Sequence, residues 1–163
     1  MKILFLDIDG VLCINFTKGT PHRNTDKYGD YFDPLCVQSL KQIIDQTGAS
    51  IVISSTWRMA GLDTMVSLWK DRELPGTVVS ITPRKLPTSS GWSEWGTHSA
   101  SRGEEIDEWL GNNVWDSFCI IDDDTDMMKY QLPFFVRTET HAGLTPELAN
   151  KAISILNTPS HIK

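Results

Sequence analysis

Cysteine, clustered histidine, net positive charge and long apolar runs are all scarce or missing in this sequence. Cys13, Cys36 and Cys119 stand far apart with no paired metal spacing. An odd count of three in an intracellular chain favours reduced thiols, and Cys119, inside an apolar run, reads as core packing. His22, His98 and His141 fall in polar loops away from the acids described below, so the usual ligands of zinc are missing there. No apolar run approaches the roughly 20 residues of a membrane-spanning helix, and no membrane partner is expected. Lys2 followed by Ile3-Leu4-Phe5-Leu6 superficially resembles a secretory signal. Its apolar run is shorter than the roughly 7–15 residues such signals need, and Asp7 ends it, so a cytoplasmic location is expected. The net charge of −6 argues against broad, non-specific nucleic-acid binding, which rests on neutralising phosphates.

What is present is enough for one packed domain over residues 1–163, with ordinary proportions of apolar (40%) and charged (22%) residues. Ile3-Leu4-Phe5-Leu6 reads as a strand buried on both faces, and it runs straight into Asp7-Ile8-Asp9-Gly10. Two acids one residue apart point the same way along a strand, and a glycine lets the chain leave it. Residues 13–32 are polar and turn-rich, predicting a loop or short flap. Asp33-Pro34 opens a helix with Leu35, Leu40, Ile43 and Ile44 as its apolar face and Gly48 as its stop. Ile51-Val52-Ile53 is the next strand, followed by a helix through Leu62, Met65, Val66 and Trp69. A third strand covers residues 77–81, and residues 82–100 are loop by composition, carrying Trp92 and Trp95. Ser101-Arg102-Gly103-Glu104 has the S-x-x-E form of a capping box, with Ile106, Trp109 and Leu110 buried behind it. Strands at 117–121 and 134–136 and a last helix capped by Thr145 complete the chain. Alternating strands and helices predict a three-layer α/β domain with a mostly parallel sheet.

Three of these strands end in reactive polar residues. The first ends in Asp7 and Asp9, the second in Ser54, and the fourth in Asp122, Asp123, Asp124 and Asp126. In a parallel sheet these ends share one edge, where open α/β sheets hold their ligands. Converging carboxylates make a hard, oxygen-rich site suited to Mg²⁺. Taken singly, each residue has a plain structural reading: an acidic turn, a hydroxyl bonding at a strand end, a solvated arginine at a helix start. Their coincidence is what carries the chemistry.

The pattern resembles the haloacid dehalogenase (HAD) superfamily of aspartate-nucleophile phosphohydrolases. Asp7-Ile8-Asp9-Gly10-Val11-Leu12 matches its first motif, Ile51-Val52-Ile53-Ser54 its second, and Asp122-Asp123, or Asp122 with Asp126, its fourth. The third motif is a lone basic residue, for which Arg102 is the first candidate and Lys85 the second. Ile53-Ser54-Ser55-Thr56-Trp57-Arg58, Thr82-Pro83 and the stretch from Arg102 to Leu110 look closest to the group associated with Swiss Army Knife RNA-repair proteins. The loop at 86–100 is longer than that resemblance leads one to expect.

The resemblance implies a Rossmann-like core with the following roles. Asp7 is the nucleophile and Asp9 the general acid and base. Ser54 bonds the phosphoryl group, with Ser55, Arg58 and Lys85 as further substrate contacts. Arg102 stabilises charge on the phosphoryl oxygens. Asp7, Asp9 (through its carbonyl) and Asp122 hold Mg²⁺. Asp123 or Asp126 is a supporting acid that holds a metal-bound water or orients Arg102. The inserts at 13–32 and 82–100 are too short for a folded cap, which implies a capless or minimally lidded core. The expected partner is a phosphorylated substrate, with a nucleotide or a polynucleotide end as its class. Lys18, His22, Arg23, Arg58, Arg84 and Lys85 in loops, with Trp57, Trp92 and Trp95 to stack bases, would serve such a substrate. The rival readings are a phosphotransferase and a non-catalytic, metal-binding interaction domain of the same fold.

Overall fold

The computed structural model describes residues 1–14, 25–84 and 100–159. The opening apolar run forms β1 (Lys2–Leu6), in which every residue after Lys2 is buried. Within the predicted loop at 13–32, β2 (Thr25–Asp26) and β3 (Gly29–Asp30) pair as a short antiparallel hairpin. Next come α1 (Pro34–Thr47), β4 (Ser50–Ile53), α2 (Leu62–Asp71) and β5 (Val78–Ile81). The described chain is completed by α3 (Arg102–Asn112), β6 (Ser117–Asp122), β7 (Phe135–Arg137) and α4 (Pro146–Leu156). The central sheet has the order β5-β4-β1-β6-β7, and all its pairings are parallel. The fold is therefore the Rossmann-like α/β core that the strand and helix alternation predicts.

Alternation along β1 divides the core into two halves. Leu4 and Leu6 join Ile51, Ile53, Cys119 and Ile121 under α1, α2 and α4, while Ile3 and Phe5 join Val52, Phe118 and Ile120 under α3. Burying each such side chain contributes about 1.5–3 kcal/mol, so both faces of β1 must be covered. On the α3 side the cover is aromatic: Phe5 meets Trp109 edge-on at 5.3 Å, and Phe118 meets Trp115 at 5.1 Å.

The helix ends follow from their capping residues. Asp33 accepts from the Leu35 and Cys36 N–H groups, and Gly48 closes α1 in the left-handed conformation. Ser101 and Glu104 form the reciprocal capping box of α3. Three sequence expectations change. Leu35 and Val66, assigned to buried helix faces, are exposed, because neither faces the sheet. A short 3₁₀ helix at Lys129–Phe134 delays the last strand to Phe135 and packs Phe134 against Phe118 instead. Another, at Thr56–Ala60, follows Ser54 and Ser55 after β4.

α3 approaches the chain after β6 very closely at Gly103. A Cβ there would lie 2.6 Å from the Met128 nitrogen and 2.8 Å from Oε1 of the buried Gln131. Gly111, one helix face away, has open space around it. Gly103→Ala should therefore lose about 1–3 kcal/mol by overpacking, whereas Gly111→Ala should gain up to about 1 kcal/mol through helix propensity. Urea unfolding of the two variants beside the parent checks both signs.

Candidate active site

Strand register assembles the site. Leu6 is level with Ile53 on β4 and with Ile121 on β6, so the next row sets Asp7 between Ser54 and Asp122. Backbone hydrogen bonds carry the ladder one step further: the Asp7 N–H donates to the Ile121 carbonyl at 3.0 Å, and the Ser54 N–H to the Leu6 carbonyl at 3.1 Å. Two positions earlier, Phe5, Val52 and Ile120 all face α3. Side-chain alternation then directs Asp7, Ser54 and Asp122 to that same side, where the first turn of α3 presents Arg102.

Arg102 bridges the two acids, with Nη1 3.6 Å from Asp7 Oδ1 and Nε 3.4 Å from Asp122 Oδ2. Both separations make loose ion pairs rather than hydrogen bonds. Asp7 is 4% exposed and Asp122 fully buried. Burial, the largest influence on both, pushes their carboxyls well above the usual range, and their mutual repulsion adds to it at Asp122. The Arg102 guanidinium opposes the rise at both acids, and a hydrogen bond with the Ser55 side chain opposes it at Asp7.

Asp123 completes a group of three. One carboxylate oxygen each from Asp7, Asp122 and Asp123 lie within 4.8 Å of one another. Asp123 can come this close because residue 10 is glycine. Gly10 has φ +77°, and a Cβ there would lie 2.3 Å from Asp123 Oδ2. That same oxygen accepts from Thr140 Oγ1 at 2.7 Å, and Thr138 Oγ1 donates to the Gly10 carbonyl at 2.8 Å. Both ends of the turn are thus tied to the segment after β7.

Buried polar atoms at this edge without a hydrogen-bond partner among the described residues include Ser54 Oγ, Arg102 Nη1 and Asp122 Oδ2. Leaving such groups unpaired costs about 1–3 kcal/mol each, more when charged. An oxygen-only donor set with a buried carboxylate oxygen that accepts no hydrogen bond suits a hard divalent cation such as Mg²⁺, and Asp7, Asp122 and Asp123 are the residues that would hold it.

The remaining predicted positions divide clearly. Asp9 contributes no carboxylate to the group of three; its Oδ2 accepts from the Trp57 indole at 3.0 Å. Asp126 is also outside that group, and its carboxylate accepts from the Arg102 backbone N–H at 2.8 Å, anchoring the start of α3. Of the two supporting acids expected, Asp123 is the one beside the metal-type cluster, and Asp126 holds Arg102 through its main chain. Arg58, expected as a substrate contact, is engaged within the protein. It is buried, donates to the Ser54 and Ser55 carbonyls at 2.8 and 2.9 Å, and is ion-paired with the equally buried Glu105. It therefore braces the loop that carries Ser54 and Ser55. Asp124 is exposed. Lys85, Lys18, His22, Arg23, Trp92, Trp95 and His98 lie outside the described residues, as does most of the lid-like loop at 82–100.

The sequence profile of a family described as the HAD domain in Swiss Army Knife RNA repair proteins matches residues 3–149. The chain belongs to this family. No curated protein sequence matches it closely enough to count as a relative. Membership, the parallel sheet and the acids at its edge together support a HAD-type phosphohydrolase, a class that generally uses Mg²⁺. No helix among the described residues is long and apolar enough to cross a membrane.

Trp57, Glu105, Thr138 and Thr140 are the site's supporting residues that sequence reasoning missed in these roles. Trp57 and Glu105 lie inside the motif phrases that carry the family resemblance, which was the available signal. The threonines follow the last strand and carried none.

Two predictions follow from these charges. Asp7 and Asp122 hold protons more tightly when folded than when unfolded, so without a divalent cation they cost stability as pH rises above the ordinary carboxylate value of about 4. Asp122→Asn should remove its share of that penalty at neutral pH and raise the melting temperature in chelator, while abolishing the further rise that Mg²⁺ gives the parent; calorimetry with and without Mg²⁺ reads both. Glu105→Ala should cost about 3–5 kcal/mol by stranding the Arg58 charge, with much of the loss recovered in Glu105→Leu/Arg58→Met, as measured by chemical denaturation.

Proposed function

We propose that this domain is a Mg²⁺-dependent phosphomonoesterase that works through an aspartyl-phosphate on Asp7. The observation that carries this reading is the position of Asp7: buried, faced by Arg102, level with Asp122 across the sheet, and followed two residues later by a second acid. Asp7 Oδ attacks phosphorus, and the bond from phosphorus to the ester oxygen breaks. Asp9 delivers its proton to the departing oxygen, then accepts one from the water that opens the acyl phosphate. Arg102 Nη1 and Ser54 Oγ, both buried at this edge without a hydrogen-bond partner, supply donors for the phosphoryl oxygens. Mg²⁺, when bound, supplies positive charge that offsets the acid cluster and the charge on the transferring group.

For the substrate, a nucleotide or a polynucleotide end is the class we propose. The family description, which places such domains in RNA repair proteins, supports it. So does the small size of the element near the site: the hairpin at 25–30 is the one described addition between β1 and α1. Arg84 is exposed beyond β5. A phosphate-release assay should show turnover of 3′- or 5′-phosphorylated oligonucleotides or mononucleotides, lost with chelator. Asp7→Asn should reduce it by at least about 10³-fold. Turnover confined to sugar phosphates or phosphopeptides would remove the nucleic-acid part. Activity surviving Asp7→Asn would remove the covalent mechanism, and Mg²⁺ binding with no turnover would favour an interaction domain.

A further inference from the structure

Asp9 is held by a device that is separate from the acid cluster. The Trp57 indole donates to Asp9 Oδ2 at 3.0 Å. Trp57 stands in the 3₁₀ turn immediately after Ser54 and Ser55, and Ser55 Oγ accepts from its backbone N–H. Its ring is wedged on two sides. Phe32 packs edge-on at 5.7 Å, itself backed by Trp69 at 6.1 Å. Gly29 of the hairpin lies against the far edge of the indole, where an added Cβ would come within 3.5 Å of Cη2. The hairpin is fastened in turn by Arg72, which donates to both Asp26 carboxylate oxygens at 2.7 and 2.9 Å and to the carbonyls of Gly29 and Asp30. The indole is therefore a fixed donor, set by its own 3₁₀ turn, by Phe32 backed by Trp69 of α2, and by the hairpin.

We infer that Trp57 is the positioning residue of the general acid: it binds Asp9 Oδ2, so that Oδ1 is the oxygen that carries and delivers the proton. An indole N–H is a donor and never an acceptor, so its partner oxygen has to offer a lone pair. In a neutral carboxyl that partner is best the carbonyl-type oxygen, which leaves the hydroxyl on the other. Proton delivery then occurs from Oδ1 as the phosphorus–oxygen bond to the leaving group breaks and the Asp7 Oδ–phosphorus bond forms. In the second step, water attacks phosphorus, the Asp7 bond breaks, and the water proton returns to Asp9. The inference rests on the phosphatase reading above and adds the residue that orients its acid.

The test uses leaving-group dependence, because a proton donor matters most when the departing oxygen is strongly basic. Values of kcat/KM report the steps up to departure of the leaving group, and are measured for benzyl phosphate and for 4-nitrophenyl phosphate. Trp57→Phe keeps an aromatic ring between Phe32 and Gly29 and removes the N–H. It should lose about 10-fold more on benzyl phosphate than on 4-nitrophenyl phosphate. In an Asp9→Asn background the same change should add no further selectivity. Should phenylalanine unsettle the fold, benzothienylalanine at position 57 keeps the bicyclic shape with sulfur in place of N–H and should give the same difference. Equal losses on both esters, or a variant faster than the parent, would overturn the positioning role and leave the phosphatase reading intact. A parent protein that releases phosphate from neither ester and from none of the phosphorylated nucleotides above overturns both.

Discussion

The structure turns on negative charge buried at the ends of two adjacent strands. Asp7 and Asp122 occupy one row of the sheet, shielded from water, with a third carboxylate from Asp123 beside them. Carboxylates in such a place repel each other and lose hydration, so each must be neutralised by a proton or opposed by a cation. One fixed cation, Arg102, reaches both buried acids, and at distances too long for hydrogen bonds. Among the described residues the acids are thus under-compensated. That imbalance is what makes the site receptive to a divalent cation, and the remaining local architecture serves to keep the acids where they are.

That architecture is built from close approaches rather than from strong bonds at the acids themselves. Gly10 lets Asp123 lie on the turn after β1, and Gly103 lets the start of α3 lie on the chain after β6. Asp126 takes the Arg102 N–H, so the same loop that follows the acid strand also sets the basic residue's helix. Arg58 and Glu105 tie the Ser54–Ser55 turn to α3 through a buried ion pair, which links the second and third polar contributions to the site. Asp7 and Asp9, two residues apart in sequence, consequently sit in different surroundings. Asp7 faces Arg102 and Asp122, whereas Asp9, nearer to Asp123 and Asp30, is held by an aromatic wall and a neutral donor. Different surroundings are the physical basis for giving two neighbouring carboxyls different chemical roles.

Much of this was legible in the chain because the governing patterns are local. An apolar run ending in acids reads as a buried strand whatever else the protein contains, and the capping signals of Asp33, Ser101 and Thr145 act over three or four residues. Leu35 and Val66 misled because helical spacing fixes relative direction, not which face meets the sheet. The 3₁₀ turns were hidden for a related reason: they have no strong period, and they form where tertiary packing stops a strand or a helix. Among the site residues, Asp7, Ser54, Arg102 and Asp122 could be proposed from strand ends and a helix start, since the sheet edge collects them automatically.

What the sequence by itself determined is the five strands of the central sheet, their parallel class and the acids that the sheet edge would carry. Only the tertiary structure decided which acids meet. Sequence alone left Asp123 and Asp126 equivalent, and the close approach at Gly10 brings the first to the cluster while the second caps a helix. Nor could it assign Arg58 to Glu105 or the indole of Trp57 to Asp9, because those pairs are separated by 47 and 48 residues and no local pattern encodes such distances. Strand endings are written in side-chain periodicity, but the partners of a buried charge are chosen by whatever the folded chain places within a few ångströms of it.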